Sequence, residues 1–101
     1  MIKRHRAAVH FHDDADRELT DAVRWYATRN LEIARGFLDE IDHAVTMIAE
    51  GPLRWPAHVH GTRRYILRQF PCAIVYRMAE VRIEIVAVAH LHRKPGYWKS
   101  C

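Results

Sequence analysis

The sequence predicts an α+β fold: an N-terminal strand, then an antiparallel α-hairpin packed on a mostly antiparallel three- to four-stranded β-sheet. Three observations carry this. Two apolar stripes at three- to four-residue spacing occupy the first half of the chain, three apolar runs of strand composition occupy the second, and Gly51-Pro52 divides them. At 101 residues the chain makes one domain over residues 1–101 with one core, which buries roughly 60–70% of the unfolded surface at this size.

The elements follow in order. Val9-His10-Phe11-His12 alternates as a short strand, and Asp13-Asp14 then offers a side-chain cap and negative charge at a helix start. Ala15, Leu19, Ala22, Val23 and Tyr26 recur at helical spacing, and Thr28-Arg29-Asn30 closes that helix. Ile33, Phe37, Ile41, Ala44, Val45 and Ile48 mark a second helix, ended by Gly51-Pro52. The short connection makes the pair an antiparallel hairpin. Both stripes read as core and call for no cofactor.

Residues 52–62 read as a loop, with Pro52, Pro56 and Gly61 as breakers. Three strands follow, Arg63 to Phe70, Cys72 to Met78 and Val81 to Ala89, with Pro71 at the first junction because it lacks a ladder donor. A two-residue turn at Ala79-Glu80 would pair Met78 with Val81, Tyr76 with Ile83, Ile74 with Ile85 and Cys72 with Ala87. That register gives the hairpin an apolar face to cover. It leaves Arg77, Arg82, Glu84, Val86, Val88 and His90 on the other face.

Charge is divided along the chain. Residues 1–50 carry 7 Lys/Arg against 10 Asp/Glu, whereas residues 51–101 carry 9 against 2. The strand-forming half is the basic half and suits phosphates or an acidic protein segment. No apolar run is long enough for a membrane span or a secretory leader. Cys72 and Cys101 make no disulfide framework, which fits a cytoplasmic protein.

The last strand runs directly into His90-Leu91-His92-Arg93-Lys94-Pro95-Gly96-Tyr97-Trp98, groups that bind anions, move protons or stack. Several ordered residues add to it: Ala15 with Glu18-Leu19, Trp25-Tyr26, Phe37 with Ile41, Arg63-Arg64 after Gly61, Phe70-Pro71, and Ile74-Val75-Tyr76-Arg77. The set closes with Val88-Ala89-His90, Arg93, Pro95 and Tyr97-Trp98. Over about residues 9–98 the chain resembles the ParE/RelE superfamily of type II toxin–antitoxin toxins, in its ParE-like, plasmid-stabilisation branch.

The resemblance implies a toxin neutralised by a cognate antitoxin, in a hetero-oligomer, with the basic half complementary to an acidic antitoxin segment. Two mechanisms divide the superfamily: ParE-like members act on DNA gyrase, and RelE-like members cut mRNA in the ribosome. Metal-free RNA cleavage needs a base, cations on the phosphate and a donor to the leaving oxygen. Where RelE-like nucleases place cations, this chain has Ala73 and Leu91. Gyrase is therefore the expected target. If the chain is a nuclease, Arg64, Arg68, His90, Arg93 and Tyr97 are the candidate catalytic residues.

The surface expected to meet antitoxin or target comprises Arg64, Arg68, Arg77, Arg82, His90, Arg93, Tyr97 and Trp98. Each has a structural alternative. His90 can cap its strand, Arg93 can pair with a carboxylate of the helical hairpin, Tyr97 and Trp98 can pack onto the core, and Arg63, Arg64 and Arg68 can guard an edge strand. His10-x-His12, His58-x-His60 and His90-x-His92 have strand spacing, but no Cys or carboxylate is placed to complete a zinc site. A plain nucleic-acid-binding module would use the same basic half on phosphates, although neither helix has a recognition-helix pattern.

Overall fold

The computed structural model describes residues 8–91. In order these form β1 (Ala8–Phe11), α1 (Asp13–Ala27), α2 (Leu31–Glu50), a 3-10 turn (Val59–Gly61), β2 (Arg63–Ile66), β3 (Cys72–Ala79) and β4 (Arg82–His90). The strands make one sheet in the order β1-β4-β3-β2. β1 runs parallel to β4, and the other neighbours are antiparallel.

α1 starts where the sequence places it, but with another cap. The Asp14 N–H donates to His12 Nδ1 at 3.3 Å, while Asp13, Asp14 and Asp16 supply the negative first turn. Asn30 belongs to the next helix: its Oδ1 accepts the N–H groups of Glu32 at 2.7 Å and Ile33 at 3.3 Å. The connection from Thr28 to Asn30 is short and folds the helices back on each other.

The core lies between this hairpin and one face of the sheet. Ala15, Phe37, Ile41, Ala44, Val45 and Ile48 pack with Cys72, Ile74, Tyr76, Ile83, Ile85 and Val88, all 5% exposed or less. Burying each larger side chain contributes about 1.5–3 kcal/mol. Tyr26, Phe37 and Phe70 form a ring cluster with centroids 5.1 Å apart, tying both helices to the turn after β2. The Tyr76 hydroxyl donates to the Pro52 carbonyl at 2.6 Å and anchors the loop beneath the helices. On the sheet's other face Val75, Val86, Ala87 and Ala89 form a second buried cluster.

Three expectations need correction. β2 ends at Ile66 and does not reach Phe70. The Glu40 carboxylate accepts the N–H groups of Arg68 and Gln69, and the Leu67 N–H donates to the Cys72 carbonyl at 2.9 Å, so the chain turns early. In the next hairpin Met78 faces Ile83 and Ala79 faces Arg82, leaving Glu80-Val81 as the turn. Glu80, at φ 37°, supplies the positive φ that tight hairpin turns need. This two-residue displacement preserves the faces near the turn and sets Tyr76 opposite Ile85.

The third correction comes from a bulge between Val75 and Tyr76, opposite the extra residue Val86. Beyond it Ile74 meets Val88 and Cys72 meets His90. Val88 and His90 therefore stand on the helix side, and Ala87 on the far side, the reverse of the expected alternation. The run Ile85 to Ala89 is apolar throughout, so it can satisfy both buried faces with or without a bulge.

Candidate functional site

The bulge divides the sequence-predicted residues between two surfaces. Directly opposed residues in a ladder share a face. Arg64 opposes Val75 and Arg77 opposes Glu84, so Arg64, Arg77, Arg82 and Glu84 lie on the face away from the helices. His90 opposes Cys72 and lies on the helix side. Arg68 sits in the exposed turn after β2. Arg93, Tyr97 and Trp98 lie outside the described residues.

On the far face Glu84 is held between two guanidiniums. Its Oε1 accepts from Arg77 Nε at 2.9 Å and its Oε2 from Arg82 Nη2 at 3.0 Å. These hydrogen bonds keep the carboxyl below its ordinary range. Both arginines remain about half exposed, so their outer N–H groups still face water. Burial, then the charges of Arg64 and His60, push the His58 imidazole below its ordinary value. This face is a cationic surface around an apolar centre, suited to carboxylates or phosphates.

On the helix side β1 stops at Phe11, and α1 crosses the edge of β4 that β1 leaves. The Val88 N–H there donates to Glu18 Oε1 at 2.9 Å, satisfying a ladder donor with a helix carboxylate. Glu18, Asp21, Ala22 and Trp25 follow i, i+3, i+4, i+7 spacing and form one wall of a cleft of about 490 Å³. Pro71, Cys72, Val88 and His90 form the other side. Trp25 is 53% exposed, with the Arg29 guanidinium 3.6 Å from its ring centre. Burial raises the Cys72 thiol and the Tyr26 hydroxyl above their ordinary values, so both are protonated at neutral pH and neither is a ready nucleophile or base.

Sequence reading singled out His90 but not the wall opposite it. Glu18 and Trp25 entered only as resemblance residues, and Asp21 not at all. The helical spacing of an acidic flank against an aromatic was the available signal. Ala73, at the position where a nuclease cation is expected, is 1% exposed and opposes Ala89 inside the sheet. Among the described residues no three His, Cys, Asp or Glu side chains stand together as metal ligands. No described helix is long and apolar enough to cross a membrane.

Comparison with known proteins follows the same line. A structure described as the chromosomal ParDE TA system from P. aeruginosa is similar to this chain, with a TM-score of 0.75 and 18% identity. The similarity covers 88% of this chain and 100% of that one, and it shows the shared fold. A sequence search of the curated proteins gives no match. The family model for the ParE toxin of the type II toxin–antitoxin system parDE matches residues 9–95, from the first strand through the segment after β4, and the chain belongs to that family of toxins.

Proposed function

We propose that this toxin acts on DNA gyrase by binding, without cutting RNA, and that a cognate antitoxin neutralises it. Membership of the ParE family favours gyrase. The observation that carries the non-catalytic half is Ala73. It offers no cation and is sealed in the sheet, while Arg64 and His90 lie on opposite faces. An RNA phosphate at His90 would not meet Arg64, so the described residues do not converge a base, a phosphate cation and a leaving-group donor on one atom.

The cationic far face supports the antitoxin half of the reading, because Arg64, Arg77 and Arg82 match an acidic segment that orders on binding. The experiment is induced expression in a bacterial host, with DNA breaks and the SOS response followed alongside mRNA integrity. DNA breaks with SOS induction and intact mRNA are expected, with loss of both on co-expression of the cognate antitoxin. Rapid mRNA cleavage with intact DNA would replace this reading with the RelE-like endonuclease.

A further inference from the structure

Three arginines of the far face form one diagonal line. Arg64 on β2 opposes Val75, Arg77 lies two residues further along β3, and Arg82 on β4 opposes Ala79, two residues further again. Diagonal neighbours on one face of an antiparallel sheet stand about 7–8 Å apart, so the line crosses three strands in about 15 Å.

Glu84 fixes two of the three. One carboxylate oxygen accepts Arg77 Nε and Nη2 and the other accepts Arg82 Nη2, from beneath: Glu84 is 16% exposed against 51% and 46% for the guanidiniums above it. Holding long side chains in place removes rotamer freedom that a ligand would otherwise have to remove. Arg77 Nη1 and Arg82 Nε and Nη1 take no part in these bonds. Arg64 is partly exposed at the other end of the line.

A guanidinium presents paired N–H donors in one plane, a match for phosphate oxygens. Along one nucleic-acid strand a phosphate recurs about every 3.4 Å of rise, so roughly four of them pass a line of this length whatever the register. A carboxylate-bearing segment has to bring its acids to the matching positions one by one.

We propose that the line of Arg64, Arg77 and Arg82 is a nucleic-acid backbone site, on which the toxin holds phosphates without reading base sequence. The inference rests on the reading above that an acidic antitoxin segment meets this face, and deepens it. Segment and nucleic acid exclude one another there, so neutralisation includes displacement of the nucleic acid.

Fluorescence anisotropy with the purified full chain and a short fluorescein-labelled DNA duplex, read across a salt series, tests it. Each phosphate contact adds about 0.9 to the steepness of log affinity against log salt. Arg64→Gln and Arg82→Gln should each flatten that slope by about 0.9 and lower affinity at 0.1 M salt about eightfold. Arg82→Gln leaves Glu84 bonded to Arg77, so the carboxylate keeps a partner and the sheet survives. Arg24→Gln and Arg35→Gln, on exposed arginines of the helical layer, should change neither slope nor affinity.

Failure of the parent chain to bind the duplex would overturn the proposal, as would binding that survives Arg64→Gln combined with Arg82→Gln or that weakens equally in the helical-layer variants. Binding of a polyglutamate peptide without binding of the duplex would also overturn it, leaving acidic protein as the ligand. Duplex binding that depends on these arginines, with polyglutamate binding that does not, would uphold the site and move the antitoxin to another face. Gyrase enters none of these readouts, so failure of the gyrase reading and failure of the backbone site are separable.

Discussion

Cys72 shows how one side chain reports on the core. Its thiol lies under the helices beside Tyr26, and burial raises it above the ordinary value of 9.0. Burial also raises Tyr76 above 10.0, although the charge of Arg63 pulls it back. A group whose folded pKa is raised binds its proton more tightly in the folded chain than in the unfolded one. The associated stability is complete below the unfolded value and is lost as pH rises through the folded one. Urea midpoints should therefore hold to pH 9 and fall above it. Cys72→Ala should lower the midpoint at neutral pH, because a small cavity opens, yet flatten the first part of the alkaline fall. A parallel decline in parent and variant would mean that the thiol is not the titrating group.

Between residues and the whole molecule, the elements differ in how plainly the sequence declares them. Both helices were legible because their apolar stripes repeat at helical spacing and are separated by Thr28-Arg29-Asn30, whose Asn30 caps the start of α2, with Gly51-Pro52 ending the second. β2 was legible only at its start. Its end is set by Glu40, which lies on α2 and reaches the N–H groups of Arg68 and Gln69. Nothing local to residues 67–70 signals that contact. The bulge opposite Val86 was hidden for another reason: a run of apolar residues looks the same in either alternation, so the side chosen by His90 could not be read from it. Glu40→Ala leaves two backbone donors in the turn without their carboxylate. It should cost about 0.5–1.5 kcal/mol, because the turn is exposed and water can reach the freed donors, read as a lower urea midpoint, and should raise hydrogen exchange at Arg68 and Gln69 ahead of the rest of the sheet. An unchanged midpoint would show that water replaces Glu40 without loss.

Across the whole molecule the fold turns a division of charge along the chain into a division between layers. The acidic half builds β1 and the helical layer, and the basic half builds β2, β3 and β4. Composition made this visible, whereas the separation of Arg64, Arg77 and Arg82 from His90 depends on sheet register and was not visible. An acidic antitoxin segment should approach the far face of the sheet, steered by a field that salt screens. Raising ionic strength from about 0.1 M to 1 M shortens the screening length from about 10 Å to 3 Å, so the association rate with the cognate antitoxin should fall about tenfold over that range. Arg64→Glu should slow association at low salt more than at high salt. Glu32→Lys, on the exposed surface of the helical layer, should leave it unchanged or faster. A rate indifferent to salt, or one slowed by Glu32→Lys and not by Arg64→Glu, would move the antitoxin from the sheet to the helices. The helical layer already presents Leu31, Ile33 and Leu38 partly to water, so that outcome would make apolar burial, not charge, the source of recognition.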